Sequence, residues 1–161
     1  MLNLYESNIN LYLQNVMGNK YIISIFKLIS DSVICSYIIL IYLLYLKKIK
    51  LRELCKFSIG MIIITCLKLI IKRPRPYIVN KQVKQYDENV GDYSSCPSGH
   101  TFNALYFFFL FTNLTKYDNI VKFVSILIIF SRLLLGVHYT TDLLSSYVII
   151  NIFLRYTNNI M

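Results

Sequence analysis

Long apolar runs separated by short polar segments fill most of the chain beyond residue 20. Five apolar stretches cover residues 21–46, 57–71, 101–114, 120–137 and 141–154. A helix that crosses a bilayer needs about 20 apolar residues. Several stretches are shorter than this unless their flanking residues are counted. The third stretch becomes long enough in this way, because residues 93–115 contain no Asp, Glu, Lys or Arg. The pattern predicts an all-α polytopic membrane bundle with about five transmembrane helices.

The first twenty residues follow a different pattern. Their apolar positions are interrupted by Asn, Gln and Glu, and they lack the basic start and small-residue cleavage site of a signal peptide. We expect a short helix lying along the membrane interface, with a shortened first span as the alternative. The apolar positions are Leu4, Ile9, Leu11, Leu13 and Val16.

Composition supports a membrane protein with one domain over residues 1–161. The chain is 56% hydrophobic and 16% charged, against about 25% charged residues in soluble domains. A soluble protein of this size has too little interior for so many apolar side chains. Disordered chains and ordinary soluble domains are therefore disfavoured, and a soluble bundle of buried helices is the alternative.

The net charge of +9 comes from short basic runs between the apolar stretches. No basic stripe lies in a polar domain, so we expect no nucleic acid partner. Basic loops stay in the cytoplasm, which places residues 47–56 inside and residues 73–100 on the outer face. The outer loop begins with several cations of its own, and this exception to the charge rule requires a functional reason.

Charged residues inside membrane spans usually mark function. Lys27 and Asp31 are spaced for an ion pair on one helix face. Lys68, Arg132 and Asp142 instead lie near the outer ends of three different spans. Snorkelling would explain any one of them, but both histidines of the chain fall on the same face. This convergence predicts a site.

Three cations on this face are suited to binding phosphate. Pro74 and Pro76 end the second apolar helix and hold Arg75 in an extended stretch. Arg75 joins Lys68 and Arg132 without a matching local group of acids, and guanidinium groups fit phosphate oxygens.

The two histidines lie in short motifs of their own. Residues 97–100, Pro-Ser-Gly-His, precede an apolar run, either as an anion-binding helix N-terminus or as an ordinary helix start. His138 and Asp142 are spaced i, i+4, so one helical turn brings the carboxylate beside the imidazole. The alternative is a core histidine whose hydrogen bond is satisfied by a nearby acid.

Together these residues resemble the three-part signature of the type 2 phosphatidic acid phosphatase superfamily, across residues 68–142. The signature positions are Lys68, Arg75-Pro76, Pro97-Ser98-Gly99-His100, Ser131-Arg132, His138 and Asp142. Membrane members typically have six spans, whereas five stretches and a polar N-terminal segment are present here.

The resemblance implies a catalytic role for three residues. It makes His138 the nucleophile that forms a phosphohistidine, Asp142 its orienting carboxylate, and His100 the acid for the leaving group. The implied phosphate-binding residues are Lys68, Arg75, Ser98, Gly99 and Arg132. No metal or other cofactor is implied, and the chain shows no carboxylate cluster or Cys spacing for one.

The implied function is hydrolysis of phosphomonoester or diphosphate groups on membrane lipids at the outer face of the cell membrane. Candidate substrates are undecaprenyl diphosphate, phosphatidate, phosphatidylglycerophosphate or lipid A. Alternatives are a soluble acid phosphatase or vanadate haloperoxidase with the same anion site, and a non-catalytic scaffold or transporter. The residues do not indicate the oligomeric state.

Overall fold

The computed structural model describes residues 2–30, 33–88, 94–111 and 118–160, and every regular element in these ranges is a helix. This confirms the predicted all-α fold. The helices are α1 Leu2–Met17, α2 Lys20–Ser30, α3 Val33–Tyr45, α4 Leu51–Ile71, α5 Pro76–Val79, α6 Gly99–Phe111, α7 Asp118–Leu134 and α8 Thr140–Ile160.

Helix α6 is the centre of the bundle. It packs against α4, α7 and α8, and its residues 101–106 are buried. Phe57 of α4 and Phe153 of α8 contact aromatic rings of α6. The Tyr106 hydroxyl donates a 2.7 Å hydrogen bond to the backbone oxygen of Glu53. A second apolar cluster joins Ile23 of α2 to the end of α7.

Helix α1 turns its polar side chains inward. Glu6, Ser7, Asn10 and Gln14 are buried, while large apolar side chains of the helix are exposed. The exposed apolar residues are Leu2, Leu4, Tyr5, Ile9, Tyr12 and Val16. The predicted N-terminal helix is therefore present, with a buried polar stripe and an apolar outer surface.

One segment, Leu51–Val79, is long and apolar enough to cross a membrane. The prediction of five spans is thus not confirmed within the described residues. Helix α8 has 21 residues, but polar residues in its first two turns reduce its hydropathy. Helices α2, α3 and α6 have 11, 13 and 13 residues and border parts of the chain outside the described ranges. The predicted partner of Lys27, Asp31, also lies outside them.

The prediction of a basic loop over residues 47–56 is wrong for residues 51–56, which are helical. Helix α4 begins at Leu51, six residues before the apolar stretch. Lys56 is buried and donates a 2.8 Å hydrogen bond to Asn158 of α8, with Glu53 3.6 Å away. A cation that the sequence pattern assigns to an exposed loop instead joins two helices.

Candidate active site

The end of α4 supplies two of the predicted phosphate-binding residues. Lys68 lies in the last turn, and the helix stops at Lys72, whose left-handed backbone (φ 49°) directs the chain into the Pro-rich segment. Arg75 is extended, as expected for a residue before proline. Its Nη1 donates a 2.7 Å hydrogen bond to the carbonyl oxygen of Val137, one residue before His138.

Residues 94–98 lead into α6 and lie against α4 and α8. Lys68 Nζ is 3.4 Å from the carbonyl oxygen of Ser94. The Ser98 hydroxyl accepts hydrogen bonds from the Thr101 amide and hydroxyl, as an N-cap does. The Ser98 amide donates to Ser146 of α8 at 2.8 Å. These contacts fix the position from which His100 projects.

The amides of Gly99 and His100 belong to the first turn of α6. Such groups have no acceptor within their own helix and carry the positive end of its dipole. The N-terminus of α6 therefore presents hydrogen-bond donors and positive charge to any anion that binds beside His100.

A tight turn between α7 and α8 carries His138. Gly136 has φ +74°, and a Cβ there would lie 2.4 Å from the Lys84 carbonyl oxygen, so a side chain would be strained and would clash. His138 Nδ1 lies 3.5 Å from Asp142 Oδ2. The i, i+4 spacing thus places the carboxylate beside the imidazole, as predicted. The amide of Tyr139 donates to the same Asp142 oxygen at 2.9 Å.

Burial lowers the pKa of His138 to about 3, with Arg75 and Arg132 acting in the same direction and Asp142 opposing them. The imidazole is therefore neutral at physiological pH. A neutral imidazole retains the lone pair that a nucleophile requires. With Nδ1 directed toward Asp142, Nε2 is the nitrogen left to react.

Arg132 approaches from the last turn of α7 and is fully buried. Its Nη2 forms a 2.8 Å ion pair with Asp87 Oδ2, and its Nη1 contacts the Ser30 hydroxyl. The sequence places no local group of acids beside the three cations, and the acid that Arg132 binds comes from a distant part of the chain. Its acid lies 45 positions away in the chain, in the loop before α6.

These residues lie within electrostatic range of one another. The positive charges of Arg132, Lys68 and Arg75 act on His100, and His138 lies close enough to interact with it. Lys68 in turn interacts with Arg75, Arg132 and Asp142. The structure therefore brings both histidines, Asp142 and the three cations together from four helices (α4, α6, α7 and α8), the segment after α4 and the turn before α8. Such a group can bind a phosphate and place an imidazole against its phosphorus.

Residues that were not among the predicted site residues also reach this site. Arg73 forms ion pairs with Asp142 (2.7 Å) and with Glu6 of α1 (2.8 Å). Asn10 of α1 donates to the carbonyl oxygen of His138 at 2.9 Å. The available signal was the spacing of polar positions 3, 6, 10 and 14, which share one face of a helix.

Among the described residues, no group of three or more His, Cys, Asp or Glu side chains is placed to hold a metal ion.

Of the comparisons with known proteins, the comparison with family models agrees with the signature. No curated protein and no solved structure gives a significant match to the chain. A family model described as the PAP2 superfamily matches residues 53–160, about two thirds of the chain and all of the signature. The chain therefore belongs to the PAP2 superfamily.

Proposed function

We propose that this protein is an integral membrane phosphatase that hydrolyses phosphomonoester or diphosphate groups of membrane lipids through a phosphohistidine at His138. Its superfamily indicates phosphatase activity on phosphate esters. The observation that supports the mechanism best is the convergence on one buried site of His138, Asp142 and His100 with Lys68 and two arginines.

In the first step, His138 Nε2 attacks phosphorus while the bond from phosphorus to the lipid oxygen breaks. His100, protonated as the imidazolium when the negative phosphate group is bound, donates a proton to that leaving oxygen, and Asp142 stabilises the imidazolium that forms at His138. In the second step, water attacks the phosphohistidine and transfers its proton to His100. The P–N bond breaks, which releases inorganic phosphate and restores both histidines.

The phosphate-binding groups act mainly on the charge that develops during transfer. Lys68, Arg75 and Arg132 surround the site with positive charge, and the amides of Gly99 and His100 add donors at the N-terminus of α6. Donors fixed in place before the reaction stabilise a transition state without reorganisation. The protein's own cations therefore take the place of a metal ion in this mechanism.

A membrane location is supported by the outer surface of the bundle. Large apolar side chains are exposed on α1, α2, α3, α4, α7 and α8, whereas a soluble protein rarely exposes large contiguous apolar patches. Exposed examples on α4 alone are Ile59, Ile62, Ile63, Leu69, Ile70 and Ile71. We infer that these surfaces contact lipid and that the bundle crosses the bilayer several times.

An outer-face site follows from the two ends of α4. Lys47, Lys48 and Lys50 are exposed at its first end, whereas Lys68 lies about 27 Å further along the helix. Because basic loops stay in the cytoplasm, the end that holds Lys68 is on the other side of the membrane. Substrates in the outer leaflet, such as undecaprenyl diphosphate, phosphatidate or phosphatidylglycerophosphate, then reach the site, with lipid A as an alternative.

The decisive experiment separates the two histidines. Purified wild type is assayed for phosphate release from the four lipids and from an aryl phosphate with an acidic phenol. His138→Ala should release nothing from any of them, because the atom that bonds to phosphorus is missing. His100→Ala should lose about 10²–10⁴-fold on lipids, as general acid catalysts do. It should recover in part on the aryl phosphate, whose leaving group needs no proton.

Two results would refute the proposal. Rescue of His138→Ala by the aryl phosphate, or acid-labile labelled phosphate trapped on that variant, would exclude His138 as the nucleophile. A wild-type protein that folds in detergent but hydrolyses none of the five substrates would instead indicate a non-catalytic member of the superfamily. Size-exclusion profiles of each variant confirm that losses of activity are not losses of fold.

A further inference from the structure

Arg73 is the link between helix α1 and the histidine–aspartate pair. Its guanidinium donates to Asp142 Oδ1 at 2.7 Å, to Glu6 Oε2 at 2.8 Å and to Asn3 Oδ1 at 2.7 Å. It also lies over the ring of Tyr139, 4.1 Å from the ring centroid. A planar group with five donors is suited to hold several acceptors in fixed directions.

Two hydrogen bonds hold the Asp142 carboxylate in one orientation. Arg73 occupies Oδ1, while the Tyr139 amide fixes Oδ2, the oxygen that faces His138. Rotation of the carboxylate away from the imidazole would break both bonds. Asp142 is fully buried, and a buried carboxylate that lost such partners would have no water to replace them.

Glu6 determines the net charge of the cluster that it forms with Arg73 and Asp142. An isolated pair of Arg73 and Asp142 would be neutral, and the carboxylate would do little to stabilise an imidazolium at His138. Glu6 contributes a second negative charge at the other terminal nitrogen of Arg73, and the Thr141 hydroxyl donates to the same Glu6 oxygen at 2.8 Å. The three charged groups together carry a net charge of −1, and Asp142 is the member beside His138.

We propose that Arg73 and Glu6 are positioning residues for Asp142, so that α1 completes the catalytic centre from outside the region matched by the family model. This inference rests on the proposed phosphohistidine mechanism. Arg73 orients the carboxylate, and Glu6 preserves its negative charge toward the imidazole. Arg73 and Glu6 do not contact the phosphate in the proposed mechanism. Both residues therefore affect the rate of phosphoryl transfer rather than phosphate binding.

The test compares Arg73→Lys and Glu6→Gln with two matched controls, Arg155→Lys and Glu88→Gln, at exposed positions. Lysine keeps the charge but cannot hold Asp142 and Glu6 through one planar fork. Glutamine keeps most of the shape of Glu6 and removes its charge. Hydrolysis of an aryl phosphate gives kcat and KM, and competition with inorganic phosphate gives its inhibition constant.

We expect kcat to fall about 10- to 100-fold in both variants, as for a lost hydrogen bond to a charged group. The phosphate inhibition constant should stay within about twofold of wild type, and the controls should match wild type. The effect of Glu6→Gln should disappear in an Asp142→Asn background, because the residue through which Glu6 acts is then already neutral.

Three outcomes would overturn the inference. An unchanged kcat in both variants would mean that Asp142 needs no support from α1. Equal losses in the wild-type and Asp142→Asn backgrounds would indicate a purely structural role, as would a parallel weakening of phosphate binding. If the wild type hydrolyses no substrate, or if Asp142→Asn is fully active, the proposed mechanism fails first, and the two failures are thereby distinguished.

Discussion

A close approach of α4 to α6 at Gly60 sets the distance between Lys68 of α4 and His100 of α6. A Cβ at Gly60 would lie 2.3 Å from Phe102 Cζ and 2.7 Å from Cε1. Phe102 is fully buried and packs edge-on against Phe153, so neighbouring side chains restrict the movement of its ring. In Gly60→Ala the two helices must therefore move apart by about 1 Å to reach an ordinary contact distance.

The expected cost in stability is small. Overpacking of a core costs about 1–3 kcal/mol, and alanine favours a helix over glycine by about 1 kcal/mol. The free energy of unfolding should thus fall by about 0–2 kcal/mol. Activity should suffer far more, because Phe102 lies two residues after His100 and a 1 Å misplacement of catalytic groups can cost about 100-fold.

The assay measures phosphate release and thermal unfolding of Gly60→Ala in detergent. Phe102→Leu removes both ring atoms that the new methyl group would meet, so Gly60→Ala combined with Phe102→Leu should recover activity relative to Gly60→Ala alone. Cys66→Leu, which adds volume at an exposed position of α4, serves as the control. Full activity in Gly60→Ala, or the absence of recovery in the double variant, would refute the role assigned to this contact.

Three further predictions concern metal, topology and pH. Activity should survive EDTA and be inhibited by vanadate, because the protein's cations neutralise the phosphate; a loss with EDTA that Mg²⁺ restores would contradict this. In a cysteine-free background, an impermeant thiol reagent added outside cells should label Cys at position 82 or 85 and not at position 48, and the reverse pattern would move the site to the cytoplasm. Because burial lowers the pKa of His138 from 6.5 to about 3, the unfolded chain binds an additional proton below about pH 6.5, and stability falls as the pH falls. Thermal unfolding of His138→Gln should consequently show a smaller decrease between pH 7 and pH 5, and equal slopes would refute the buried neutral imidazole.

The residues of the signature were accessible from sequence because each lies at or near the end of a helix. Proline after Lys68 ends α4, and the i, i+4 spacing of His138 and Asp142 survives in any helical turn. Their convergence required only that these ends lie on one side of the bundle. Helix type and approximate position were predictable for the same reason, since hydrophobic periodicity identifies long helices reliably.

Partners distant in the chain were not predictable. Glu6 and Asp87 are 67 and 45 positions from the arginines that they bind, and no local spacing relates them. The polar residues of α1 carried a misleading signal, since an amphipathic helix normally turns its polar face to water. Lys56 was assigned to a loop because it is charged, although lysine, arginine, leucine and glutamate all favour helices, and its charge is satisfied inside the bundle by Asn158.

The acids missed by sequence reasoning explain how so many cations can be buried before a substrate arrives. Burying an unpaired charge is far more costly than burying a hydrogen-bonded pair. Asp87 pairs with Arg132, and Glu6, together with the signature residue Asp142, pairs with Arg73. Two carboxylates from outside the signature, Asp87 and Glu6, therefore help to hold these arginines in defined orientations. A phosphate that enters the site then meets donors whose positions are already fixed. Preorganisation of this kind lowers a reaction barrier, because the donors need not reorient while charge develops on the transferring group.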